Sequence, residues 1–192
     1  DVTGTNSMSV SISHDIIYYE DRDAYDSGNP YGEGSDADKH TAEEAEKHMV
    51  VNITEPGTYR ITGQLSCGQI RIDLGDKAYD NPDAVVELIL DNAHIGCTVA
   101  PAILFLNVYE CDGNWSEDTA KPNVDTSAAG ANLILQGNNT VTGAYVAKIF
   151  KDKTGEKKLW KQDGAIYSYM SMNVYGPGCL TLNAANEGLD TE

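Results

Sequence analysis

Lysines and aromatic residues concentrate in residues 143–162, where together they could bind sugars. Six of the thirteen basic residues lie there: Lys148, Lys151, Lys153, Lys157, Lys158 and Lys161. Because the net charge of the chain is −17, this segment is a local positive patch that can attract the carboxylates of a polyuronate. Aromatic rings offer flat faces to sugar rings. The predicted carbohydrate-binding residues are Tyr145, Phe150, Lys151, Lys158 and Trp160, together with Trp115 from residues 112–129.

The alternative for the lysine-rich segment is a solvated hairpin. Its first strand would run over residues 146–150, and its second strand would return over residues 159–160. In that case the aromatic side chains would pack on the body of the protein, and the lysine stems would lie along apolar surface with their charges in water.

Four oxygen-bearing residues predict a calcium site near the end of the sequence. Asp163 and Glu187 occupy equivalent places in successive repeats, where stacked carboxylates would repel one another. A cation between them would remove that repulsion, and calcium takes roughly six to eight oxygen ligands. Asn186 and Asp190 are the further donors. The alternative is that the carboxylates bond to turn amides and solvent.

A second acidic group occupies residues 20–38, with seven carboxylates in a stretch that also contains Gly, Asn and Pro. A solvated loop and a cation site are both compatible with this composition. The spacing does not match the ligand pattern of an EF-hand loop.

The four cysteines form no Cys-x-x-Cys pair and have no accompanying histidine cluster, which argues against zinc and thioredoxin-like chemistry. Cys67 lies two positions after Leu65, and Cys97 lies two positions after Ile95. Leu65 and Ile95 are apolar residues at equivalent positions of two successive repeats. Adjacent parallel strands lie about 4.8 Å apart, a separation that a disulfide tolerates between α-carbons. A Cys67–Cys97 disulfide and two buried free thiols remain as alternatives.

Four segments that could position these residues repeat a pattern of short strand, polar turn and short strand. They are residues 59–73, 87–109, 132–142 and 173–189. Superimposing them aligns Leu65, Ile95, Val141 and Leu180 in one column. One such unit cannot bury its apolar face alone, so neighbouring units must stack. The repeats therefore predict a coiled β-solenoid.

The 192 residues, 41% of them hydrophobic, suffice for one domain with a sizeable core. Residues 1–49 are predicted to hold an opening strand, the acidic loop and a helix from Ser35 or Asp36 to about Met49. This helix would cap the solenoid, with His40 and His48 on its solvent side. Residues 50–192 are predicted to form the strands, with insertions at residues 112–129 and 143–162.

Charge and motifs argue against several functions. A net charge of −17 repels nucleic acid, and no apolar stretch approaches the roughly 20 residues that span a bilayer. The histidines are scattered and no Gly-x-Ser-x-Gly occurs. Arg60 and Arg71 could act as bases of a pectate-type lyase, but neither has a carboxylate cluster in its column. We therefore predict a protein without catalytic activity, with a polysaccharide lyase as the competing class.

Several motifs resemble, in order, a family of secreted bacterial carbohydrate-binding domain-containing proteins. They are residues 53–63 (ITEPGTYRITG), 68–70 (GQI), 88–92 (LILDN), 100–103 (APAI), 163–166 (DGAI) and 186–189 (NEGL). The resemblance implies a right-handed parallel β-helix like that of polysaccharide lyases, with bound calcium. It also implies a secreted or cell-surface protein that binds plant cell-wall polysaccharide, notably cellulose and pectin-type polygalacturonate.

The chain departs from this family at its end. Members continue with further turns of the helix, whereas this sequence stops within a repeat at Asp190 and Thr191. The resemblance therefore predicts a β-helix truncated at its C-terminal end, whose open end invites self-association. A structural or adhesive surface protein without a sugar site is the third functional class.

Overall fold

The computed structural model describes residues 1–4, 10–19, 38–113, 123–150 and 158–191. For residues 148–150 and 158–160 only the backbone is described.

Strands make up most of the described chain. They are β1 (Val2–Gly4), β2 (Val10–Ser13), β3 (Met49–Ile53), β4 (Gly57–Leu65), β5 (Gly68–Asp73), β6 (Val86–Cys97), β7 (Ile103–Asn107), β8 (Ala131–Gln136), β9 (Asn138–Gly143), β10 (Val146–Phe150), β11 (Lys158–Gln162), β12 (Gly164–Ser168), β13 (Met172–Tyr175), β14 (Cys179–Ala184) and β15 (Glu187–Thr191). The described helices are α1 (Ala42–Glu46) and one 3-10 turn (Thr126–Ala128).

The strands form three sheets. The first has the order β1-β4-β6-β8-β13, with β9 also paired to β6, and β14 to β9. The second has the order β15-β12-β7-β5-β3-β2, and β10 pairs with β11 alone. Apolar residues of both large sheets pack in one core. In the first sheet, Tyr59, Leu88 and Leu133 lie opposite one another on neighbouring strands, and all three are fully buried. Burial of such side chains is the main stabilising contribution.

The predicted right-handed parallel β-helix with an N-terminal helical cap is wrong, because the sheets are mixed. Strand β1 pairs antiparallel with β4, strand β2 pairs antiparallel with β3, and β10 pairs antiparallel with β11. An outer strand of a sheet has unpaired N–H and C=O groups, and pairing satisfies them. Strands β1 and β2 therefore cover the edges that helix α1 was expected to cap. The supported description is an all-β protein with mixed sheets.

The predicted residue columns are correct for three members and wrong for the fourth. Leu65 pairs with Ile95, and Ile95 with Val141, but Val141 pairs with Leu182 rather than Leu180. Since Cys179 pairs with Asn138, the preceding turn glycine, Gly178, corresponds to Gly137. The shift is two residues, which leaves the side chain on the same face of the strand.

Helix α1 is shorter than predicted. Thr41 caps it, and Glu44 completes a capping box by accepting a hydrogen bond from the Thr41 N–H. Residues 35–37 of the predicted helix lie outside the described chain. His48 was expected on the solvent side, but it is buried. Its ring lies between helix α1 and the loop after β6, and it forms hydrogen bonds with the Glu44 backbone oxygen and the Thr98 N–H.

In the described part of the chain, no helix has the length and apolar character needed to cross a membrane.

Candidate functional site

Two residues predicted for different roles come together at the base of the β10–β11 hairpin. Val146 pairs with Gln162 across the two strands. Tyr145 directly precedes β10 and Asp163 directly follows β11. The antiparallel pairing therefore brings Tyr145 and Asp163 to one end of the hairpin. We call this cluster the hairpin base, and it consists of Asp38, Tyr145, Lys161, Gln162, Asp163 and Tyr169.

Tyr145 connects the hairpin base to the end of the acidic segment. Its hydroxyl group donates to Asp38 Oδ1 at 2.5 Å, and its ring is half-buried. Burial, the hydrogen bond to Asp38 and the negative charges of Asp38 and Asp163 together raise the pKa of Tyr145 to about 12. The phenol therefore remains a hydrogen-bond donor throughout the physiological pH range.

Asp163 is paired with a lysine. Its Oδ2 lies 2.6 Å from Lys161 Nζ, and its side chain is only 12% exposed, compared with 44% for Lys161. A mostly buried carboxylate needs such a partner to offset its desolvation. The ammonium group of Lys161 thus balances the charge of Asp163 and still reaches solvent.

Gln162 has unused hydrogen-bonding capacity. Its side chain is fully buried, and its Nε2 donates to the Tyr169 hydroxyl at 3.3 Å. Its Oε1 finds no donor among the described residues. A buried acceptor without a donor costs about 1–3 kcal/mol, and the burial of Gln162 keeps this atom out of reach of solvent. Tyr167 and Tyr169 form an edge-to-face pair beside it, with ring centroids 4.9 Å apart.

The structure confirms the hairpin over the lysine-rich segment. Ile149 pairs with Trp160, and Phe150 pairs with Lys158, which places three predicted sugar-binding residues on β10 and β11. The side chains of these three residues lie outside the description, as do Lys151 and Trp115 altogether. Their contacts with sugar, and the alternative packing on the protein body, therefore stay predictions.

The residues predicted to bind calcium are only partly brought together. Glu187 pairs with Gly164 and Asp190 pairs with Tyr167, so Asp163 lies one position out of register with Glu187. The Glu187 N–H donates to the backbone oxygen of Asp163 at 3.1 Å, and Asn186 and Glu187 are exposed. Within the described ranges no group of three or more His, Cys, Asp or Glu side chains could hold a metal ion.

This donor set falls short of the roughly six oxygens that calcium prefers. The calcium site at Asp163, Asn186, Glu187 and Asp190 stays a prediction. The other candidate cation site, in the acidic segment, lies outside the described residues except for Asp38.

No sequence pattern places Asp38, Gln162 and Tyr169 together at the hairpin base. Tyr145 and Asp38 are 107 positions apart, and no local pattern connects them. The one available signal was the position of Gln162, which directly precedes the predicted ligand Asp163.

All four cysteines are free thiols in the structure, and of the predicted pair Cys97 is buried whereas Cys67 is only half-buried. Cys97 is buried, and this burial raises the pKa of its thiol to about 11. Since the thiolate is the reactive form of cysteine, Cys97 is chemically inert near neutral pH.

Arg60 and Arg71 are each held by an ion pair. Arg60 Nη1 donates to Asp91 Oδ2 at 2.8 Å and to Gln136 Oε1 at 2.6 Å. Arg71 Nη2 donates to both carboxylate oxygens of Asp15, at 3.0 and 2.9 Å. Asp91 and Asp15 both come from outside the residue column of the arginine that they contact, since Arg60 pairs with Ile89 and Arg71 with Asn52.

Residues 47–192 match the sequence profile of a family described as carbohydrate-binding domain-containing protein. The match covers more than half of the chain. The chain belongs to this family. The matched range includes every strand from β3 onward and all members of the hairpin base except Asp38. No curated protein and no solved structure matches the chain.

Membership of the carbohydrate-binding domain-containing family supports a role in binding carbohydrate and a polysaccharide partner. It agrees with the family resemblance of the sequence motifs, and it favours a binding protein over an enzyme.

Proposed function

We propose that this protein is a secreted or cell-surface, non-catalytic binder of plant cell-wall polysaccharide that holds an acidic polymer at the hairpin base. One observation carries the proposal: the β10–β11 pairing brings Tyr145, Lys161, Gln162 and Asp163 together at the foot of a lysine-rich hairpin. Family membership supplies the carbohydrate class.

The side chains of the hairpin base match the chemistry of a sugar acid. Lys161 is an exposed cation, and five further lysines stand on the adjoining segment of the sequence. Tyr145 offers a partly exposed ring to a sugar. Because the rest of the chain is strongly acidic, a polyanion is attracted to this segment and repelled elsewhere.

Calcium assistance forms part of this proposal. Asp163, Asn186, Glu187 and Asp190 would supply part of the calcium ligands beside the hairpin base, and carboxylates of the polymer would have to supply the remaining oxygens. When bound, calcium supplies positive charge that can neutralise both protein and polymer carboxylates. The residues themselves would position the polymer through the lysine charges and the exposed part of the Tyr145 ring.

Gel retardation with polygalacturonate tests the proposal. The double variant Lys151→Gln/Lys158→Gln removes two charges from the hairpin, and Lys47→Gln/Lys77→Gln removes two charges elsewhere as the matched control. Exposed ion pairs contribute up to about 1 kcal/mol each, so the hairpin variant should bind roughly five- to tenfold more weakly than the control. Each protein is run with calcium and with a chelator.

Equal retardation of both double variants would contradict the hairpin base as the site. Retardation that persists in chelator would remove calcium from the proposal. Unsaturated sugar products, followed by their ultraviolet absorbance during incubation, would instead identify a polysaccharide lyase. A wild-type protein that is retained by no polysaccharide would leave a structural or adhesive role.

A further inference from the structure

Two of the four cysteines lie side by side where β4 and β6 end. Leu65 pairs with Ile95 in parallel register, and Cys67 and Cys97 each come two positions later. Neighbouring parallel strands are about 4.8 Å apart, within the roughly 4.4–6.8 Å that a disulfide spans between α-carbons. The continuation of this register therefore brings the two thiols within reach of each other.

The two chain segments remain adjacent beyond the last paired residues. A Cβ atom at Gly96 would lie 3.0 Å from the backbone oxygen of Ser66, so the positions just before the two cysteines are in contact. Burial raises the pKa of the Cys97 thiol to about 11, and the nearby Cys67 adds to this rise. A like charge has such an effect only at short range.

The same short segment of the chain contacts both cysteine corners. We call this segment, His48 and Met49, the α1–β3 junction. The Met49 N–H donates to the Cys67 backbone oxygen at 3.1 Å. The Thr98 N–H, directly after Cys97, donates to His48 Nε2 at 3.1 Å. A covalent bond between the two corners would therefore also fix the α1–β3 junction.

The other two cysteines lie on different rows of the fold. On the side of β6 away from β4, Cys97 pairs with Gly143, which has no side chain. Cys179 pairs with Asn138 on the outer strand β14, and Cys111 follows β7. The register thus gives Cys97 a single cysteine neighbour, Cys67.

We propose that Cys67 and Cys97 form a redox pair, which closes to a disulfide between β4 and β6 and fixes the α1–β3 junction. The structure contains the reduced state of this pair. The oxidant is a low-molecular-weight disulfide such as glutathione disulfide. The redox pair goes beyond the proposed function, because it assigns a covalent modification and does not depend on the hairpin base.

The reaction consists of two thiol–disulfide exchanges. Cys67 is half-buried and can be reached by the oxidant, whereas Cys97 is only 1% exposed. The Cys67 thiolate attacks one sulfur of glutathione disulfide, and a glutathione thiolate leaves with the electron pair of the broken S–S bond. The Cys97 thiolate then attacks the Cys67 sulfur and expels the second glutathione thiolate. The protein thiols lose two protons and two electrons, which convert the oxidant into two glutathione thiols.

The high pKa of Cys97 is compatible with the second exchange. At pH 7 a thiol with a pKa of about 11 is ionised in only about one molecule in ten thousand, which makes Cys97 inert toward reagents in solution. In the mixed disulfide the Cys67 sulfur is held beside it. An oriented intramolecular reaction can reach an effective concentration of about 10⁵ M, which offsets the small thiolate fraction.

Closing the bond should stabilise the folded protein. The disulfide would close a loop of about 30 residues, which restricts the unfolded chain. For a chain of this length, we expect the midpoint of thermal unfolding to rise by roughly 5–10 °C. Exchange of the Met49 amide hydrogen should also become slower, because its acceptor lies on Cys67.

Oxidation of the native protein in a glutathione buffer, alkylation of the remaining thiols and digestion with trypsin test the pair. Trypsin cleaves after Arg71 and Lys77, so the peptides that contain Cys67 and Cys97 stay together only through the bond. We expect this linked pair, and its separation on reduction. The rise in the unfolding midpoint should vanish in Cys67→Ser and Cys97→Ser and persist in the control Cys179→Ser. Comparing oxidised and reduced forms of the same variant cancels any destabilisation by the substitution itself.

Cys97→Ser gives a second readout, since glutathione should remain attached to Cys67 when the second exchange is missing. Absence of the linked peptides from the folded wild-type protein would overturn the proposal. A bond that involves Cys111 or Cys179, or one that forms only after unfolding in urea, would overturn it as well. So would equal unfolding midpoints for oxidised and reduced wild-type protein. None of these measurements involves a polysaccharide, so their outcome is independent of the hairpin-base proposal.

Discussion

At the scale of single residues, Asn139 connects three strands through one buried side chain. Its Oδ1 accepts from the Ala93 N–H at 2.9 Å, and its Nδ2 donates to the Gln136 and Cys179 backbone oxygens at 2.9 and 3.2 Å. The side chain is 2% exposed, so water cannot replace these bonds. Asn139 therefore holds the polar turn of one repeat against its two neighbours.

Replacing Asn139 should destabilise the protein far more than replacing its neighbour. Asn139→Ala leaves one buried N–H group and two partly buried carbonyl groups without this partner, and we expect a loss of about 3 kcal/mol in the free energy of unfolding. Asn138→Ala is the control, because the exposed Asn138 bonds to Asn92 through its backbone N–H, and should cost about 0.5 kcal/mol or less. Urea unfolding measures both values, and equal midpoints would contradict the role of Asn139.

At the scale of elements, His48 fastens helix α1 to the loop after β6. His48 Nδ1 lies 2.9 Å from the Glu44 backbone oxygen, which can only accept, so Nδ1 carries the proton. The Thr98 N–H donates to His48 Nε2 at 3.1 Å. The short helix therefore depends on this tertiary contact as well as on its capping box, since five residues are too few for stability in isolation.

His48→Ala should release the loop at Thr98. The Thr98 amide loses its acceptor, and we expect its hydrogen exchange to become at least about tenfold faster. His40→Ala is the control, because His40 only approaches the exposed Glu44 at 3.8 Å. Exchange followed by mass spectrometry or NMR gives the comparison. Unchanged protection at Thr98 in the His48 variant would show that the loop is held by other contacts.

At the scale of the whole molecule, net charge opposes association of exposed apolar edges. At the end opposite β1, the outermost strands of the first sheet are β13 and β14. At the end opposite β2, the outermost strand of the second sheet is β15. Val174, Tyr175 and Leu189 on these strands are 42%, 47% and 37% exposed. Two copies of the protein would gain from pairing these strand edges and burying these apolar side chains, whereas a net charge of −17 on each copy repels the other.

Salt should therefore promote self-association. At about 1 M salt the screening length falls to about 3 Å, and we expect a concentration-dependent dimer in light scattering after size-exclusion chromatography. Val174→Lys should reduce the dimer, while Val124→Lys, a similarly exposed valine on a loop, should not. A monomer at all salt concentrations would show that these edges do not associate.

The sequence by itself determined the strands, the hairpin and the family. The hairpin strands predicted over residues 146–150 and 159–160 correspond to β10 (Val146–Phe150) and β11 (Lys158–Gln162). The hairpin over the lysine-rich segment followed from its turn and strand residues. These features depend on neighbours close in the chain, which a sequence pattern records directly.

Only the tertiary structure decided strand direction, register and the membership of the hairpin base. Periodicity is the same for parallel and antiparallel strands, so the antiparallel pairing of β1 and β2 had no local signal. The column shift from Leu180 to Leu182 is two residues, so the alternation of apolar and polar side chains is the same in both registers and cannot distinguish them. Asp38 meets Tyr145, and His48 meets Thr98, because the sheets bring distant segments together, and such contacts leave no fixed spacing in the sequence.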